Sequence, residues 1–240
     1  MTTQSTTLIF VLLTIMSAGH QSLKMNNKGQ SLSTVVSSNT SNNILGSASQ
    51  FAILSASAIT NTGNTSVSGS VGIFPGTAIT GWFNISNGST HNSDSVAQNA
   101  QNDVTNAYHN LMSEYGSNDL TGQNLGGMTL APGVYNYDTS CAIAAGTLTL
   151  QGDSNAKWIF KIGSSLTTAA GTGVNMSGGA SASNVYWLVG SSATLGADTS
   201  MCGNIIAYAS ITMSEGARLN GRALARVGAV TLISNSISIN

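Results

Sequence analysis

Residues 185–232 read VYWLVGSSATLGADTSMCGNIIAYASITMSEGARLNGRALARVGAVTL, and a threonine between inward-capable residues returns through them at near-constant spacing. Ala193-Thr194-Leu195, Ile211-Thr212-Met213 and Val230-Thr231-Leu232 begin 18 and 19 residues apart, and Leu166-Thr167-Thr168 precedes the first by 27. Each triplet alternates as a strand with one buried face does. The intervals suit successive coils of a solenoid, with the loop from Gly173 to Asn184 absorbing the longer one. Leu148-Thr149-Leu150 reads as the same ladder one coil earlier. Between the triplets lie short segments ending in glycine, such as Thr199–Gly203 and Ala217–Gly221, and apolar runs such as Trp158-Ile159-Phe160 and Val185–Val189. Three strands per coil predict three flat faces.

The N-terminal half follows the same pattern with one interruption. From Leu45, short alternations around Phe51, Ile53, Ile59, Val67, Val71 and Ile79 are broken by Gly63, Gly69, Gly72, Gly76 and Gly81, which reads as strands and tight turns. Val96, Ala100, Val104, Ala107, Leu111 and Tyr115, widened by Tyr108 and Met112, instead predict one amphipathic helix over 94–115 that packs this stripe on the core. Upstream, Leu8 to Met16 is a short apolar run followed by Ser17, Ala18 and Gly19. It predicts an export signal over 1–19, too short to span a bilayer comfortably. The Ser-, Asn- and Thr-rich stretch over 20–44 is expected to be a flexible tether, leaving 45–240 as one domain.

Of the 240 residues only 6% are charged, and the net charge is −1. That balance speaks against a nucleic-acid surface and against a charged disordered tail. Two prolines and 27 glycines without a triplet period exclude collagen and proline-rich linkers.

Several segments resemble the fungal, algal and bacterial ice-binding proteins. They are Phe51-Ala52-Ile53-Leu54, Pro75–Gly81, Leu130–Tyr135, Trp158–Gly163 and Asn220–Ala225, and their order and the intervening helix make the likeness specific over 45–240. The resemblance implies an all-β-dominated fold: a right-handed, discontinuous β-solenoid of triangular section. One long helix packs alongside it, and an N-terminal coil returns to stack beside C-terminal coils. It also implies adsorption to an ice crystal surface by a secreted monomer, without cofactor, nucleic acid or stable membrane insertion.

The family's ice face is described by Thr, Ala or Gly, any residue, then Thr or Asn. Thr62-Gly63-Asn64-Thr65, Thr77-Ala78-Ile79-Thr80 and Thr172-Gly173-Val174-Asn175 match it. Continuing that register adds Thr139 with Ala142, Ala197 with Ser200, and Glu215 with Arg218, the last pair placing charge where the pattern wants none. The expected ice-contacting set is therefore Thr62, Thr65, Thr77, Thr80, Thr139, Ala142, Thr172, Asn175 and Ser200. The ladder from Thr149 to Thr231 is expected to serve as scaffold on a different face, because threonine is ordinary on outward strand positions.

No catalytic or metal-ligating set is expected. The acids and His20, His91 and His109 are scattered, serines lack a nucleophile elbow, and the glycine-rich stretches lack a phosphate-binding lysine. Asp138, Asp153 and Asp198 are the acids to check for polysaccharide cleavage. The alternative function is an extracellular structural or carbohydrate-binding adhesin, with Tyr135, Tyr137 and Trp82 as a sugar platform. Cys141 and Cys202 fall two coils apart in this register and are expected to be buried free thiols. Asn39, Asn64, Asn84, Asn87 and Asn175 are glycosylation sequons, with Asn64 and Asn175 expected on the ice face.

Overall fold

The computed structural model describes residues 43–116 and 118–239. The expected export signal and the expected tether up to residue 42 lie outside the described residues. Ile44 and Leu45 pack with the helix residues Ala100, Val104, Ala107 and Leu111.

The chain winds through three strand faces per coil, and every strand pairing is parallel. One face passes through Gly133–Tyr137, Trp158–Ile162, Val185–Val189 and the second halves of Ser200–Ala207 and Arg218–Ala225. It continues into Phe51–Ser55, Ser70–Ile73 and Thr90–Asn92. A second face is a separate seven-stranded sheet, ordered Cys141–Ile143, Leu166–Thr168, Ala193–Leu195, Ile211–Met213, Val230–Ile233, Ala58–Thr62, Ala78–Thr80. The third carries Thr147–Gln151, Gly173–Ser177, the first halves of the two long strands, Ser236–Ser238, Thr65–Ser68 and Phe83–Ser86. This is the expected solenoid, and its discontinuity is explicit. The C-terminal coil pairs on all three faces with the N-terminal coil, as in Leu224 with Leu54, Thr231 with Thr60 and Ile237 with Val67.

Local chemistry explains the corners. Arg218–Ala225 bends from the third face to the first at Gly221, where φ is +147° and a Cβ would run into the Gly203 carbonyl of the coil below. Only glycine fits that stack. Inside, parallel register superposes like on like: Tyr135 stacks on Phe160 with centroids 5.4 Å apart, and Phe160 on Trp187 at 4.0 Å. The polar ends are satisfied, with Tyr135 Oη donating to Ala131 O at 2.6 Å and Trp187 Nε1 to Cys202 O at 2.9 Å.

The first face is buried on both sides because the helix α1 (Ser95–Ser113) covers it. Asp94 caps the helix by accepting from Ala97 N at 2.8 Å. That hydrogen bond, then the one with His91, holds its carboxyl below the usual range. The helix buries Ala97, Ala100, Gln101, Val104, Ala107 and Leu111, and of these Ala100, Val104, Ala107 and Leu111 cluster with Ile159, Tyr186, Leu188, Ile206 and Leu224. The stripe is narrower than expected. Val96 and Met112 turn outward, off the 97–100–104–107–111 line, and Tyr115, 92% exposed, lies past the helix end. Across the joint between the C-terminal and N-terminal coils lies Arg222. It is buried, its Nε and Nη2 donate to Ser49 O at 3.0 and 2.6 Å, and its Nη1 donates to Asn204 Oδ1 at 2.8 Å.

Candidate functional site

The seven-stranded sheet presents one outward position from each strand in a single continuous register. Ala142 pairs with Thr167, Thr167 with Thr194, Thr194 with Thr212, Thr212 with Thr231, Thr231 with Thr60, and Thr60 with Thr80. The neighbours of Thr167, Thr194 and Thr212 point inward, as the buried–open–buried patterns of Leu166–Thr168, Ala193–Leu195 and Ile211–Met213 require. Six threonines in file at the parallel-strand spacing make a row roughly 30 Å long when Ala142 is included. Branching at Cβ restricts each χ1, so the methyl and hydroxyl ladders are preordered. The single Thr80 hydroxyl proton lies between two acceptors, Ile59 O at 3.3 Å and Thr60 Oγ1 at 3.4 Å.

A second rank of small residues flanks this row two positions earlier: Ser140, Ser165, Ser192, Ser210, Ala229, Ala58 and Ala78. The serine hydroxyls are occupied along the stack. Ser140 and Ser165 share a hydrogen bond at 2.9 Å, Ser192 Oγ accepts from Ser210 N at 3.3 Å, and Ser210 Oγ accepts from Ala229 N at 3.2 Å. No strand of this sheet contains Asp, Glu, Lys or Arg. The result is a flat strip of small side chains and ordered hydroxyls with no charge to hold a hydration shell.

The residues expected to form the contact face are only partly gathered. Thr80 and Ala142 stand in the row. Thr62 is exposed two positions beyond Thr60 and pairs with Ile233, while Thr77 and Thr139 are exposed just ahead of their strands. Asn175 and Ser200 belong to the third face. Two expectations are corrected outright, because Thr65 and Thr172 point inward. Thr65 is fully buried, donating to Asn61 Oδ1 at 2.6 Å and accepting from Asn235 N at 3.0 Å. Thr172, also buried, donates to Ala169 O at 2.7 Å. The cause is geometric: along a strand, residues two apart share a side and residues three apart do not. In two copies, Thr62 to Thr65 and Thr172 to Asn175, the Thr-x-x-Thr/Asn spacing straddles a coil corner.

Other expectations are adjusted in the same way. Thr149 pairs with Thr129 and Asn175 on the third face, so it is no part of the row. Glu215 sits in an exposed corner and Arg218 on the third face, so neither interrupts the strip. Tyr135 and Tyr137 are core residues whereas Trp82 is 77% exposed at the far end of the stack, so no sugar platform forms. Asn175 presents its sequon from the third face, and Asn64 lies in the turn after Thr62. Among the described residues no three His, Cys, Asp or Glu side chains cluster as a metal site.

Cys141 and Cys202 are both free and buried. Burial pushes each thiol up to about 12. Thiolate is the reactive species, so native protein at pH 8 is expected to label with a disulfide reagent far more slowly than unfolded protein, which should yield both thiols at once. Prompt labelling of folded protein would show that these positions open. The raised values also favour the folded state at and below the unfolded-thiol range near pH 9, and this contribution declines as pH climbs from there towards 12.

A family model described as Ice-binding-like matches residues 53–238. The chain belongs to the ice-binding-like family. Among relatives of this ice-binding-like chain, an ice-binding protein from Nostoc sp. (strain HG1) is 46% identical over 199 residues, covering 81% of this chain and 73% of the relative. The crystal structure of an ice-binding protein from an Antarctic biological consortium superposes with a TM-score of 0.78 at 45% identity, covering 81% of this chain and 90% of that one. A second, from the Antarctic ascomycete Antarctomyces psychrotrophicus, gives 0.76 at 37% identity, covering 81% and 96%.

Proposed function

We propose that this protein adsorbs to ice crystals, restraining their growth and recrystallisation, and that the contact is made by Thr60, Thr80, Thr167, Thr194, Thr212 and Thr231 with their rank of serines and alanines. The observation that carries the assignment to this face is the unbroken seven-strand register of one outward side chain per coil. Each hydroxyl can hold one water of an ordered layer while its methyl shelters the next. Single contacts are weak, but an array that engages simultaneously is retained far longer than any of its members. No pocket, cofactor or catalytic group enters the reading.

The same reading makes the protein an exported monomer. The apolar run from Leu8 to Met16 supports export, and a single chain carries the whole row. Among the described residues no helix is long and apolar enough to cross a membrane. The direct test is a single ice crystal grown in purified protein. Faceting with a gap between melting and growth temperatures is expected, and the protein should concentrate in a slowly growing ice hemisphere. A crystal that grows as a smooth disc, with protein excluded from the ice, would overturn the proposal.

A further inference from the structure

The third face carries a feature that adsorption to ice leaves unused. Gly173–Ser177 pairs along its whole length with Thr147–Gln151 below, yet it meets Ser200–Ala207 above only at Gly173 and Ser200. Beyond that point the two strands no longer pair, and Ala180, Ser181 and Ala182 of the longer coil help line the gap. The breach is a cleft of about 490 Å³ whose lining includes Asn175, Met176, Ser181, Ser200, Arg218 and Asn220. That volume falls in the range of small-ligand sites.

Its chemistry is specific. Arg218 is the only charged residue of the lining, and among the described residues it has no ion pair. Asn220 Oδ1 is buried without a hydrogen-bond partner. Solvent does not reach that oxygen, so it belongs to the cleft floor and is not itself a ligand contact. Asn175 and Ser200 add exposed amide and hydroxyl groups, and Met176 supplies an apolar wall with no aromatic ring. A guanidinium for an anion, an exposed amide and hydroxyl for ring hydroxyls, and an apolar wall for C–H groups describe one class of ligand.

We infer that this cleft binds a sugar acid, a hydroxyl-rich ring bearing a carboxylate, either free or as the uronate unit of an extracellular polysaccharide. The Arg218 fork takes the carboxylate, and the exposed Asn175 amide and Ser200 hydroxyl take ring hydroxyls. The site faces away from the threonine row, so its occupation and ice adsorption are independent.

The test is a titration of ¹⁵N-labelled protein, followed by NMR, with D-galacturonate and with tetragalacturonate. D-galactose and sulfate serve as the neutral-sugar and bare-anion controls. Saturable shifts at Asn175, Ser200–Cys202 and Arg218–Asn220 are expected with the uronates and with neither control. Tighter binding of the oligomer identifies polysaccharide as the source, and equal binding the free acid. Arg218→Gln is expected to weaken uronate binding by about tenfold or more, and Asn220→Asp to weaken it by charge repulsion. Ice-growth inhibition of Arg218→Gln should stay at the parent level, which also certifies the fold. The inference is overturned if sulfate or galactose shifts the same residues equally, if the shifts fall elsewhere or are absent, or if folded Arg218→Gln binds uronate as the parent does. Each of those results leaves the ice assignment standing.

Discussion

Thr212→Tyr is expected to reduce thermal hysteresis by roughly an order of magnitude while leaving the solenoid folded. Thr212 stands in the middle of the row, with Thr194 on one side and Thr231 on the other, and its side chain points away from the core. A phenol there rises several ångströms above its neighbours and lifts both arms of the strip off a flat crystal. Because the contacts act as an array, losing simultaneous engagement costs much more than one threonine's share. The comparison is Ser236→Tyr, an equally bulky change at an exposed position of the third face, which should leave hysteresis near the parent value. Circular dichroism and a melt must show both variants folded, since exposed substitutions usually shift stability by less than about 0.5 kcal/mol. Full activity in folded Thr212→Tyr together with its loss in Ser236→Tyr would move the ice face to the third side.

Arg222→Ala is expected to lower unfolding free energy by about 2–4 kcal/mol, read from denaturant midpoints at neutral pH. The guanidinium satisfies Ser49 O twice and Asn204 Oδ1 once, in a site where burial holds its pKa below the ordinary value. Removing it strands those acceptors and opens a gap between the 3₁₀ turn Gly46–Gln50 and the C-terminal coils. Arg222→Lys should recover little, since an ammonium cannot present two N–H groups in a fixed fork to one carbonyl while a third reaches Asn204. A change smaller than about 0.5 kcal/mol would show that the strand ladders alone hold this joint.

Much of the architecture was legible because solenoids write their period into the chain. The returns of Thr167, Thr194, Thr212 and Thr231 marked one sheet, and the glycine-ended segments the third face, but the expectation that this ladder lies on a different face from Thr62, Thr80 and Ala142 is corrected, because their strands pair into the same sheet. Thr149 was misassigned because Leu148-Thr149-Leu150 alternates identically, and alternation cannot say which of three faces a strand occupies. The outward row was harder. The four-residue spacing drew attention to Thr62, Thr65 and Thr172, but whether a strand continues or turns between the two ends depends on corners that sequence marks only faintly. A better signal was present. Small residue, inward residue, Thr or Ala, inward residue occurs in Ser192-Ala193-Thr194-Leu195, Ser210-Ile211-Thr212-Met213 and Ala229-Val230-Thr231-Leu232. It recurs in Ala58-Ile59-Thr60-Asn61 and Ser140-Cys141-Ala142-Ile143. Joining Thr60 to Thr231, 171 positions along the chain, still required knowing that the two coils touch.

That junction bears on how the protein is made. In the seven-stranded sheet Val230–Ile233 lies between Ile211–Met213 and Ala58–Thr62, so the row exists as two separate fragments until residues 230–233 have been made. Contacts of such long sequence separation close slowly. Thr60 and Thr80, translated early, must wait for Thr231 before they share a plane with Thr212, Thr194 and Thr167. A nascent chain therefore presents no full-length threonine array until Val230–Ile233 has been made and docked between the two fragments.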